Sequence, residues 1–487
     1  MNAIVIGSGM GGLSAAIRLQ LKGYQVRVFE ANPYFGGKVT TISKNGYTWD
    51  AGPSLFTMPH LVDELFEAAG KTPEKHFQYE QLEVVCNYFW EDGATFSSKA
   101  DKEQLVNDLS LFFDSSKKDI WHYLNSSEQT FKSIGRIFLE NSLHQAKTWL
   151  HPETMKAFLK IGSYGLNSTL HDVNAKAFSN PKLVQLFDRY ATYNGSNPYQ
   201  TPGIMSMIPY LEYGIGAYFP KGGMRNISQS LYQLAQSLGV SFQFNARVDK
   251  ILSEGNKVSG VQIDQQHYAA PVVVSNMDVV PTYRKLLPQV KAPEKTLQQE
   301  RSSSALIFYW GISKTFPELD VHNIFFSDDY KEEFQALFET KTLQKDPTVY
   351  IHISSKVESS DAPDGKENWF VMINAPADYG QDWEEIVAQA RAKIIAKVSR
   401  ILKQDIEALI EAEDVLTPVL IQQRTSSFRG ALYGAASNNK FAAFLRQANF
   451  SNKLKGLYFC GGSVHPGGGI PLSLLSGKIA SDCVPKP

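Results

Sequence analysis

Residues 3–30, AIVIGSGMGGLSAAIRLQLKGYQVRVFE, decide the fold. Ala3 to Ile6 form a short β-branched run, the pattern of a strand buried within a parallel sheet. Gly7-x-Gly9-x-x-Gly12 follows, and LSAAIRLQLKG then repeats its apolar positions at helical spacing. QVRVFE reads as a second strand ending on Glu30, 18 residues beyond Gly12. Each piece suits a dinucleotide. Gly7 permits the tight turn, Gly9 lets the backbone approach a pyrophosphate, and Gly12 lets helix and strand pack closely. The helix N-terminus offers N–H donors and partial positive charge, and Glu30 offers a carboxylate for ribose hydroxyls. A glycine-rich turn alone is a weak signal. Strand, glycines, helix, strand and acid in this order predict a βαβ nucleotide unit, with NAD or FAD still open.

A chain of 487 residues predicts two or more lobes, and 43% hydrophobic with 20% charged residues describes a globular protein with a sizeable core. A net charge of −1 gives no reason to expect a nucleic-acid partner. Cys86, Cys460 and Cys483 are few, odd in number and without metal-ligand spacing, so a reducing cytosol, no disulfide framework and no metal site are expected. No stretch approaches the roughly 20 apolar residues of a spanning helix, and the N-terminus runs straight into a strand without a signal-peptide core.

A second glycine cluster stands far from the first, in YFCGGSVHPGGGIPLSLLSGKIASD, residues 458–482. Five glycines fall in the nine residues from Gly461 to Gly469, between an apolar strand and a helix beginning near Ile470. The expectation is one elongated ligand touched by both clusters.

Between them, HLVDELFEAAGK has helical spacing, VVCNYFWEDGATFSS reads as two strands around Asp92-Gly93, and amphipathic helices are expected through roughly 101–190. IMSMIPYLEYGIGAYFPKGGM, residues 204–224, has no clean period and reads as the wall of a large apolar cavity. Asn226 and Ser228 are candidate caps for the next helix. Strands are expected in SSALIFYWGISKTF, TVYIHISSKV and NWFVMINAP, forming a sheet floor beneath a lipid-like substrate, with a helix in WEEIVAQARAKIIAKVSRIL.

The segments ANPYFGGKVTT and YTWDAGPSLF place Gly36-Gly37-Lys38 directly after Glu30 and Asp50-Ala51-Gly52-Pro53 soon after. This continuation resembles the glutathione-reductase-like, two-dinucleotide-binding FAD proteins, the group of amine oxidases and carotenoid desaturases. HPGGGIP, RYATYNGSNPY and FPKGGM resemble the carotenoid desaturases of the phytoene desaturase type over essentially the full length. FRGALYG and SNMDVVPTYRKLLP look closer to bacterial hydroxycarotenoid 3,4-desaturases than to phytoene desaturases.

The resemblance implies an α/β FAD domain from residues 1–75, 215–290 and 415–487. An interleaved α+β substrate and membrane-facing lobe would come from 76–214 and 291–414. It implies FAD contacts at Gly7, Gly9, Met10, Gly11, Gly12, Glu30, Lys38, Gly52, Pro53, Ser54, Leu55, Val248, Asn276, Leu432, Gly461, Gly462, Gly467, Gly468, Gly469 and Ile470. Val248 would pack its backbone on the adenine, and the helix from Ile470 would face the flavin pyrimidine edge. The implied reaction is carotenoid desaturation, with the membrane surface and an electron acceptor (oxygen or quinone) as partners. The implied location is the cytoplasmic face of the inner membrane.

His465 is the candidate base, set against a reading in which it braces the flavin loop. Phytoene desaturase is the nearest alternative. An amine oxidase would need a polar, caged amine site. A Rab escort or dissociation-inhibitor protein would share the fold without flavin chemistry, and the intact glycine motif after Phe459 argues against it.

Overall fold

The structure is a computed structural model that describes residues 1–152, 154, 165–439 and 446–487. The part of the expected helical stretch at 153 and 155–164 lies outside the described residues.

Two sheets organise the chain. Their strands are β1 (Asn2–Ile6), β2 (Gln25–Phe29), β3 (Val84–Phe89), β4 (Thr95–Lys99), β5 (Ser241–Gln243), β6 (Val272–Ser275), β7 (Ser304–Ile312), β8 (His322–Phe325), β9 (Val349–Ile353), β10 (Glu367–Ala375), β11 (Ile410–Leu416) and β12 (Leu457–Phe459). The first sheet is parallel throughout, in the order β12-β6-β1-β2-β5. Helix α1 (Met10–Leu21) connects β1 to β2, which is the βαβ unit read from the sequence.

The second sheet runs β11-β7-β10-β9-β8-β3-β4 and is antiparallel except where β8 pairs with β3. The Asp92-Gly93 turn joins β3 to β4 as expected. A strand points successive side chains to opposite faces, and here both faces are used. Leu306, Phe308 and Trp310 of β7 and Trp369, Val371 and Ile373 of β10 pack with helix α2 (Trp383–Leu402) through its Ala390, Ile394 and Val398. The intervening Ile307, Phe370 and Met372 form a separate apolar group on the opposite face.

Helices fill the lobe after β4, at Lys102–Phe113, Lys117–Thr130, Leu170–Ala177 and Pro181–Asp188. Two local expectations are corrected. The helix Arg225–Ser237 is not capped by Asn226 or Ser228. The Asp50 carboxylate, brought from β1's side of the chain, accepts from Met224 N at 3.0 and 3.1 Å, while Ser228 Oγ bonds Val39 O and Arg225 O. In the stretch 204–224, Ile204, Met205, Met207 and Ile208 belong to the main core, and Glu212 alone reaches the cavity. Composition without a period does not distinguish a wall from a core.

The last helix, α3 (Ile470–Cys483), lies against α1. A Cβ on Gly477 would stand 2.5 Å from Gly11 O, so the crossing needs a residue without one. Lys22 Nζ donates to Ser481 O at 2.8 Å and to Val484 O, tying the end of α3 to the end of α1.

Candidate active site

Four loops leave the carboxyl ends of parallel strands and meet: Gly7 after β1, Glu30 after β2, Asn276 after β6 and Gly461 after β12. Open α/β sheets bind ligands at this edge. A cavity of about 1040 Å³ opens there and extends over the second sheet, reaching Ile307, Ile324, Tyr350, Phe370 and Met372. That volume is at the upper end of the ~300–1,000 Å³ usual for a small-molecule site.

Most residues expected to touch the cofactor line this cavity: Gly7, Gly9, Met10, Gly11, Glu30, Lys38, Gly52, Pro53, Ser54, Leu55, Val248, Asn276, Leu432, Gly461, Gly462, Gly469 and Ile470. Gly12, Gly467, Gly468 and His465 do not. Gly12 lies beneath the turn, where a Cβ would meet Gly7 O at 2.1 Å. Gly468 makes room for Tyr433, whose ring would be 2.6 Å from an added Cβ, and Gly467 faces Leu472 and Arg446.

The nucleotide side is backbone. Positive φ at Gly7 (89°) and Gly469 (95°) turns the chain into α1 and α3, so both helices begin at the cavity with unbonded N–H groups. Asn276 fits between the two glycine turns: its Nδ2 would be 2.8 Å from a Cβ on Gly9, and its Oδ1 2.7 Å from one on Gly11. A Cβ on Gly11 would also strike Gly461 N at 2.8 Å. The buried Glu30 carboxylate accepts from Ser8 N (2.8 Å) and Ser8 Oγ (2.7 Å) through Oε2 and from Asn32 N (2.9 Å) through Oε1. It keeps lone pairs for a ribose hydroxyl.

Lys38 Nζ donates to Leu432 O at 2.8 Å, linking the glycine pair after β2 to the segment before β12. Burial lowers its pKa to about 8, against the opposing pull of Asp278. This is no solvated surface lysine. The cradle therefore fits an FAD: two helix N-termini, a ribose carboxylate, backbone without Cβ where a pyrophosphate must approach, and a cation beyond it.

The far side is built of side chains that, Ser54 apart, sequence reasoning missed. Arg189 Nη2 and Glu212 Oε2 pair at 2.6 Å, both buried, and Tyr190 and Tyr193 donate to the same carboxylate. Ser54 Oγ, Tyr350 Oη and His322 Nδ1 form a hydrogen-bonded row at 2.8 and 2.7 Å. These residues come from distant segments. Alternation along β8, β9 and β10 was the available signal, once one face was assigned to α2.

His465 is 2% exposed, with Nε2 2.8 Å from Asn141 O. Burial lowers its pKa to about 4, and His144 and Arg446 add to the shift, so the neutral ring donates to Asn141.

A parallel βαβ sheet, two converging glycine turns and a lysine-lined cavity define an FAD-dependent oxidoreductase, and the chain belongs to the Flavin containing amine oxidoreductase family, which matches residues 10–485. Among curated proteins it is similar to the 1-hydroxycarotenoid 3,4-desaturase of Flavobacterium sp. (strain P99-3), 57% identical over 99% of both chains. It is also similar to the 4,4'-diapolycopene oxygenase of Methylomonas sp, 32% identical over 98% of this chain and 97% of that one. Among solved structures, an oxidoreductase from Methanosarcina mazei shares the fold, with a TM-score of 0.64 at 16% identity, covering 99% of each chain.

Proposed function

We propose that this protein is an FAD-dependent carotenoid desaturase that introduces the 3,4 double bond of an acyclic or monocyclic hydroxycarotenoid. The carrying observation is the 57% identity to a 1-hydroxycarotenoid 3,4-desaturase over 99% of the chain. Bound FAD supplies a two-electron acceptor for the hydrogen removed with its electron pair. The chain does the rest. The floor of Ile307, Ile324, Phe370 and Met372 keeps water out and holds a polyene by apolar contact. The N-terminus of α3, which opens on the cavity, would place partial positive charge beside a bound flavin. The neighbouring carbon gives up a proton, which passes to solvent, as the double bond is completed. His465, outside the cavity, is a brace for the loop before α3 in this reading.

The division into an FAD domain (1–75, 215–290, 415–487) and a substrate lobe (76–214, 291–414) belongs to the same proposal. No described helix is long and apolar enough to cross a membrane. A C40 substrate resides in a bilayer, and Leu111 (79% exposed) and Leu150 (76% exposed) offer apolar side chains to one. Peripheral association with the inner membrane, with oxygen or a quinone as final acceptor, completes the proposal.

The test is anaerobic mixing of purified protein with a hydroxylated acyclic carotenoid in liposomes. The expected result is flavin bleaching with a matching red shift of the polyene spectrum. Bleaching by amines, with carotenoids inert, would return the protein to the amine oxidases.

A further inference from the structure

The Ser54–Tyr350–His322 row has a hydrogen to spare. Burial pushes the His322 pKa down to about 3, so the ring is neutral and carries one N–H. The three groups then hold three hydrogens, and the two bonds of the row use two. One hydrogen remains in every arrangement. If it sat on His322 Nε2 it would be lost, because that atom is buried without a partner, and an orphaned buried donor is costly. The favoured arrangements leave the free O–H on Ser54 or Tyr350. All three residues line the cavity; in the polar cluster nearby Arg189 Nη2, Tyr190 and Tyr193 are turned toward Glu212, and only the buried Arg189 Nε is left without a partner.

We infer that the Ser54–Tyr350–His322 row donates this hydrogen to the substrate's hydroxyl oxygen and so selects hydroxylated over unsubstituted polyenes. The inference rests on the proposed 3,4-desaturation. In such a substrate the C1 hydroxyl is two carbons from the bond being oxidised, so its reader must stand close to the flavin. Ser54 meets that need. It follows Gly52 and Pro53 in the segment assigned to FAD, while Tyr350 rises from the sheet floor opposite. Tyr350 is thus a specificity-determining residue, and His322 a positioning residue that fixes the direction of the row.

The experiment compares a 1-hydroxylated acyclic carotenoid with its parent hydrocarbon, each in liposomes, at matched flavin content. Wild type should favour the hydroxylated substrate in kcat/KM by about 100-fold or more, since a site built to bond a hydroxyl rejects an analogue lacking it. Tyr350→Phe removes only the oxygen. It should lower that ratio roughly 10- to 100-fold, the loss on the hydroxylated substrate exceeding any loss on the hydrocarbon by that factor. His322→Gln should retain an intermediate ratio. An unchanged ratio in Tyr350→Phe, or equal loss on both substrates, overturns the inference while leaving the desaturase reading intact. Wild type inert toward both carotenoids removes the desaturase reading itself, and this inference with it.

Discussion

At Gly7, Gly9, Gly461 and Gly469 the cavity surface is peptide backbone; at Ile307, Tyr350 and Met372 it is side chains standing up from antiparallel strands. The backbone wall serves a ligand whose phosphates need N–H donors and close approach, whatever the substrate. In the proposed reading the side-chain wall serves the substrate, and a strand can alter one face while its other face keeps packing on α2. Cofactor tolerance to mutation should therefore be low on the first wall, and substrate tolerance should vary on the second.

The largest expected effect tests the backbone wall. Gly9→Val places a branched side chain where the pyrophosphate must come, with Asn276 Nδ2 already 2.8 Å from the first added carbon. Purified protein should carry no flavin by its visible absorbance, and stoichiometric flavin in the variant would sink the assignment.

A middle-sized effect sets neighbours on one strand against each other. Ile373 is 1% exposed and faces α2, so Ile373→Ala should cost about 2–5 kcal/mol of stability. Met372 lines the cavity, so Met372→Ala should cost under about 1 kcal/mol while raising KM for the carotenoid. Denaturant unfolding and steady-state kinetics on the two variants separate the faces. Equal destabilisation by both would break the comparison.

The smallest effect concerns His465, which belongs to neither wall. Its folded pKa of about 4 lies below the ordinary 6.5. The stability of its neutral state is thus fully present above pH 6.5 and lost as pH falls through about 4, by roughly 3 kcal/mol at most. His465→Gln should show a shallower loss between those pH values than wild type, and near-normal flavin reduction at matched flavin content. A 10²–10⁴-fold rate loss with full flavin would make it the base instead.

The backbone wall was legible because its requirements are local. Gly7-x-Gly9-x-x-Gly12 and Glu30 occupy one short stretch, and each residue type answers one demand of a dinucleotide. The side-chain wall was legible only as a sheet floor. SALIFYWGI and NWFVMINA announce strands, yet alternation does not say which parity faces a helix until α2 is placed. Ser54 was marked only as a cofactor contact, His322 and Tyr350 not at all, and the three meet through tertiary structure alone. Asp50 shows the same limit from the other direction: its carboxylate caps a helix 174 residues later, which no local capping rule could find.

The splitting of the nucleotide cradle between the two ends of the chain also has a consequence in time. Gly12 and Gly461 are 449 positions apart, and at ~5–20 residues per second a ribosome needs roughly 20–90 s to pass from one to the other. For nearly all of that interval β6 lacks its neighbour β12, and α1 lacks the helix that Lys22 will tether. Flavin loading is thus expected to follow synthesis of the second glycine turn, with the first phosphate turn open until then. Ribosome-bound chains stalled before Leu457 should carry no flavin, whereas flavin on those chains would show that the first glycine turn holds the cofactor unaided.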